Sequence, residues 1–144
     1  MPASKAEQVL GALGDALGSI AAAIERNSVL PERIPTGGLI ILRDGDPGEP
    51  EQALGGFGNA YYQHAVEIGV YAEEGDAAAR DAAFDDLLQQ IGTALEADPT
   101  LGGLVFGLAY RRPEPSIEAV AGAPALKTGT ILIMLDYEAE TPLS

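Results

Sequence analysis

The chain has 144 residues, with 22 Asp and Glu against 8 Lys and Arg, a formal net charge of −14, one histidine, and no cysteine or tryptophan. The length suits one domain with its own core, and the missing cysteine removes disulfides, thiolate metal sites, iron–sulfur clusters and a thiol nucleophile. The acidic balance opposes a grip on nucleic acid or on an anionic membrane surface, both of which need clustered cations, and 47% hydrophobic residues opposes disorder.

Ser4-Lys5-Ala6-Glu7 reads as a capping box, with the Ser4 hydroxyl on the Glu7 amide and the Glu7 carboxylate reaching back. Leu10, Leu13, Leu17, Ile20 and Ile24 then recur at helical spacing, which predicts an amphipathic helix of about 20 residues, stopped by Asn27 and Pro31. Gly11, Gly14 and Gly18 each cost roughly 1 kcal/mol relative to alanine inside a helix, so they either weaken it or admit close packing. No signal peptide is expected, because Glu7 and Asp15 interrupt the early apolar positions. No apolar run approaches the roughly 20 residues of a membrane-spanning helix. A soluble intracellular protein is the expectation.

Residues 31–59 are broken by Pro31, Pro35, Pro47 and Pro50. Within them 39–43 reads as a strand and Asp44 to Glu51 as an acidic hairpin loop, and 52–60 has room for a short strand. Tyr61 to Glu73 alternates as a strand, with Tyr62, His64, Val66, Ile68 and Val70 on one face. Asp76 is an N-cap for a second helix to about Ala97, whose apolar stripe is Phe84, Leu87, Leu88, Ile91 and Leu95. Asp98-Pro99 stops it. Leu104 to Tyr110 is strand-like, Pro113 and Pro115 break the chain, and a short apolar stretch spans Ile117 to Val120. Thr130 to Glu138 is the clearest strand.

These elements predict a single α+β domain over 1–144, with two amphipathic helices packed on one face of a mainly antiparallel sheet of four to six strands. In the last strand Ile131, Ile133, Leu135 and Tyr137 face one way, but Leu132 and Met134 make the other face apolar as well. With both helices on the first face, the second is covered either by another subunit or by the 31–59 segment.

Chemistry is poorly marked. Asp44-Gly45-Asp46 opens like a calcium loop, but Glu49 stands where that loop needs glycine and Gly55 where it needs glutamate, so a solvated loop is the better reading. His64 is the sole histidine, on an alternating strand, and no serine lies in a nucleophile-elbow motif; a packed histidine is expected rather than a general base. Gly55–Gly58 and Gly102–Gly107 lack the Lys-Ser/Thr ending of a phosphate loop. No catalytic residue, metal ligand or cofactor-binding residue is singled out.

The order of elements, with Ala97-Asp98-Pro99-Thr100-Leu101-Gly102-Gly103 after the second helix and a closing strand Ile131-Leu132-Ile133-Met134-Leu135-Asp136-Tyr137, resembles the tail terminator proteins of long-tailed phages and prophages. The resemblance implies a non-enzymatic virion protein, a homo-oligomer closing as a hexameric ring at the head-proximal end of the tail. Such a ring ends polymerisation of the tail tube protein and joins the tail to the head–neck connector protein. It also implies that DNA passes through the lumen without specific binding, an acidic wall repelling it, and that no cofactor or membrane is involved. Leu104, Val105, Phe106, Arg111 and Arg112 are the subunit-interface candidates, the adjacent arginines suiting a neighbour's carboxylates. A head-completion or neck protein, and a small acidic enzyme acting on a cationic or metal-bound substrate, are the rival readings.

Overall fold

The computed structural model describes residues 2–52, 59–119 and 121–144. In chain order the elements are α1 (Lys5–Leu17), β1 (Ala23–Arg26), β2 (Leu39–Asp46), β3 (Glu51–Gln52), β4 (Ala60–Glu73), α2 (Ala77–Ala97), β5 (Gly107–Tyr110), β6 (Ser116–Glu118) and β7 (Leu126–Ala139). All strands join one sheet of order β1-β2-β4-β7-β5, with β3 beside the start of β4 and β6 beside the start of β7. Only β1 and β2 are parallel; the other pairings are antiparallel. The fold is α+β as expected, and the additional strands are short ones.

The spine is the β4–β7 ribbon, paired from Ala60↔Ala139 to Glu73↔Leu126 without a register shift. Alternation sets its faces: Tyr62, Val66 and Ile68 of β4 stand opposite Tyr137, Ile133 and Ile131 of β7, all buried. Val9, Leu10, Leu13 and Leu17 of α1 and Phe84, Leu87, Ile91 and Leu95 of α2 close over this face in one core. Both helices therefore lie on the same side of the sheet. Asp76 caps α2 as expected, accepting from the Ala79 amide at 2.9 Å.

Three expectations are corrected in the first half of the chain. The leading helix stops after 13 residues, not about 20, because Gly18 takes the C-cap and its N–H closes onto the Asp15 carbonyl at 3.0 Å. Ile20 and Ile24 leave the helix, and Ile24 enters β1, where β-branched residues are at home. Only half of the capping box forms: Ser4 Oγ accepts from the Glu7 amide at 3.2 Å, but the Glu7 carboxylate accepts instead from both terminal nitrogens of Arg26, at 2.6 and 2.9 Å. The glycines divide as well. Gly14 faces the Leu42 methyl at 3.7 Å, whereas a side chain at Gly11 would meet nothing within 4 Å, so close packing does not account for it.

β2 runs on through Asp44 and Asp46, which therefore belong to a strand and not to the loop. A bulge between Arg43 and Asp46 shifts its register on β4. Gly45 sits in that bulge at φ +68°, against the Ala65 carbonyl, where a Cβ would collide. β3 shares only Gln52 with the predicted 52–60 strand and Ala60 already opens β4; positions 53–58, with the Gly55–Gly58 cluster, lie outside the described residues.

In the second half, the predicted Leu104–Tyr110 strand begins only at Gly107. The Asp98–Gly103 turn delays it. Gly102 N–H donates to the Asp98 carboxylate at 3.0 Å, and Leu101, at φ 49°, drives its side chain into the core with 3% exposure. The stretch Ile117–Val120 reduces to the exposed β6, and Val120 lies outside the described residues.

Candidate assembly interface

The face of the sheet opposite the helices is built by the alternate residues of each strand. Along the start of β2 and the end of β4 it is closed by its own side chains. Leu39 and Ile41 are fully buried there, and the Tyr71 ring folds over Gly69, its hydroxyl accepting from Arg43 Nη2 at 2.9 Å. A Cβ at Gly69 would lie 2.6 Å from both the Arg43 guanidinium and the Tyr71 hydroxyl, so the missing side chain makes room for this cap.

On the β7–β5 half nothing comparable among the described residues covers the strands. Leu132 and Met134 are 52% and 37% exposed, and Ala109 stands beside Met134 across the ladder. They form the floor of a groove of about 750 Å³, whose wall carries Arg111, Arg112 and Glu114. The described residues of segment 31–59 leave Leu132 and Met134 open to solvent.

The five interface candidates do not share one surface. Val105 is buried in the core, and Leu104 packs against it from the turn. Phe106 is 65% exposed, fixed by its N–H on the Asp136 carbonyl at 2.7 Å. Arg111 and Arg112 are exposed at the other end of β5. Arg112 reaches Asp85 of α2 at 3.1 Å, in an open pair with 75% and 50% of the side chains exposed, and such a pair contributes little. Gln89 and then Arg112 hold the Asp85 carboxyl below its usual range.

Around Phe106 the surface is aromatic and acidic. Tyr61, Gln63, Asp136, Glu49 and Glu51 line a second hollow of about 510 Å³ with it. The Tyr61 hydroxyl is pushed up by its hydrogen bond to Glu138. These partners were hidden from the sequence because they lie 30 to 57 positions from Phe106 and meet it only through the β4–β7 register. Leu132 and Met134 were visible as the second apolar face, but their proximity to Arg111 and Arg112 depends on the position of β5.

Most cations are engaged within the chain. Arg26 binds Glu7 and Asp44, Arg33 binds Glu73, Lys127 binds Asp81, Arg43 donates to Tyr71 and Arg80 to the Glu74 carbonyl. Among the described residues Arg111 makes no ion pair or side-chain hydrogen bond.

His64 has a structural role. It is 3% exposed, with Nε2 2.6 Å from the Asp44 carbonyl and Nδ1 2.8 Å from the Tyr137 hydroxyl. A carbonyl only accepts, so Nε2 carries the proton and Nδ1 accepts from Tyr137. Burial pushes the Tyr137 hydroxyl up to about 12, so it remains a donor. The acids of the calcium-like stretch take separate partners: Asp44 faces Arg26, and Asp46 accepts from the Gly48 amide at 2.8 Å. Among the described residues no group of three acids or histidines has the arrangement of a metal site, and no helix is long and apolar enough to cross a membrane.

Sequence comparison matches the chain to no protein family and to no curated protein. Among solved structures it is similar to a chain in the virion of a native gene transfer agent particle, at 14% identity and a TM-score of 0.40, with 92% of this chain and 91% of that chain covered. No functional conclusion rests on a likeness of that degree.

Proposed function

We propose that this chain is a structural virion protein of the tail-terminator type. It forms a single domain over 1–144 that assembles as a hexameric ring at the head-proximal end of a phage or prophage tail, ends polymerisation of the tail tube protein and meets the head–neck connector protein. The observation that carries the reading is the half-open sheet face: Leu132 and Met134, in one groove with the Arg111–Arg112 pair, are exposed, whereas Leu39 and Ile41 on the β2 side are fully buried. A second copy of the chain is the cover this face requires. The element order and the Asp98–Gly103 turn, which resemble that family, supply the rest. The protein acts by assembly, without catalysis or cofactor, and its acidity suits a lumen that DNA passes without being held.

Electron microscopy of tails made without this protein tests the role. Over-long tubes support termination, tails of normal length lacking heads indicate a neck protein, and intact virions overturn both. Solution mass tests the ring: six times 14.8 kDa gives about 89 kDa, and a chain that stays monomeric on isolated tail tubes as well as in solution excludes it.

A further inference from the structure

We infer that the ring is held by a head-to-tail contact in which the Arg111–Arg112 pair of one copy enters the aromatic, acidic hollow around Phe106 and Asp136 of the next. This inference rests on the ring reading and names its contact surfaces. The two surfaces are chemically complementary and occupy opposite ends of β5. Arg111 follows its last residue, and Phe106 precedes its first. Along β7 they are separated by about five residues, on the order of 16 Å, with the exposed Met134 between them and the exposed Leu132 level with Arg111. One copy therefore presents a donor surface and an acceptor surface that are not the same patch, and a contact between unlike patches builds a ring or a filament, not a two-fold dimer.

Charge favours a copy as the occupant. Each chain carries −14, so copies repel at a distance and need a local attraction to associate. Arg111 and Arg112 are the one adjacent pair of cations in the sequence, and most other cations are engaged internally. Glu114 beside them and Asp85 against Arg112 balance the formal charge of the pair, so the attraction acts at short range, through Arg111 and through exchange of the Arg112 partner. The hollow offers what a guanidinium binds: the exposed faces of Phe106 and Tyr61 for stacking and the carboxylates of Asp136, Glu49 and Glu51 for hydrogen bonding. The open Arg112–Asp85 pair can exchange for such a partner at small cost.

Charge exchange tests the pairing. Arg111→Glu with Arg112→Glu reverses the donor, and Asp136→Lys with Glu49→Lys reverses the acceptor; all four positions are exposed, so thermal melts should match the native protein. Native protein is expected to assemble in mass photometry or sedimentation. Each reversed variant alone should associate at least tenfold more weakly. Mixing the two variants, or combining all four changes in one chain, should restore assembly, and six-fold closure permits strict alternation in the mixture. The inference is overturned if either variant assembles as the native chain does, if the mixture stays dissociated, or if the native chain does not self-associate. A ring that ignores the reversals leaves the terminator reading standing without this contact. Restored pairing alongside tails of normal length in the deletion defeats the terminator reading and keeps the contact.

Discussion

His64 shows how one polar side chain can pin three strands. Its ring joins the Asp44 carbonyl of β2 to the Tyr137 hydroxyl of β7 from a position on β4, inside an otherwise apolar core. Replacing it by leucine leaves the Tyr137 hydroxyl buried without this partner, at about 1–3 kcal/mol, and removes a part-buried bond to the Asp44 carbonyl. His64→Leu should therefore lower unfolding stability by a few kcal/mol in a denaturant titration, and nitrogen NMR of the native protein should report the Nε2–H tautomer. Gly45 is as demanding for a steric reason. A Cβ there meets the Ala65 carbonyl, and the left-handed backbone adds roughly 1–2 kcal/mol for any other L-residue. Gly45→Ala should shift the denaturation midpoint well beyond that backbone penalty alone. Gly11 is the opposite case: open space surrounds it, so Gly11→Ala should stabilise α1 by about 0.5–1 kcal/mol, read as a rise in melting temperature.

At the level of elements, Arg26 ties α1, β1 and β2 together through Glu7 and Asp44. The Glu7 carboxyl is held below its ordinary 4.5, chiefly by its hydrogen bonds to Arg26. A depressed carboxyl adds stability above its unfolded pKa and loses it as pH falls through the folded value. Arg26→Ala should therefore destabilise the protein at neutral pH, with the gap to the native protein narrowing below about pH 4.5, measured by urea titration across that range. The sequence displayed α2, β4 and most of β7, because each is long enough for its period to be unambiguous; Asp76 marks the start of α2, whereas β7 begins at Leu126, four residues before the expected Thr130. It concealed β1, because Ile20 and Ile24 fit a helical spacing as well as they fit a turn and a four-residue strand. Of the candidate interface, Phe106 and the arginines could be found from local contrast. Val105 could not be recognised as core, since its burial depends on the Asp98–Gly103 turn folding it inward.

For the whole molecule, the two faces of the sheet answer different needs. The helical face stabilises the subunit, and the exposed β7–β5 half of the other face is available to a neighbour. Leu132→Glu with Met134→Glu should thus leave monomer stability within about 1 kcal/mol, since both side chains already face water. The same change should abolish assembly in sedimentation. The uninterrupted β4–β7 pairing also has a mechanical meaning. Fourteen residue pairs resist a pull along the strands together, as a lap joint in shear, and span on the order of 45 Å. The four pairs of β5 can peel from β7 one after another. Under load along these strands the protein is stiff at the β4–β7 ribbon and more compliant at β5, the edge we propose as the contact with a second copy.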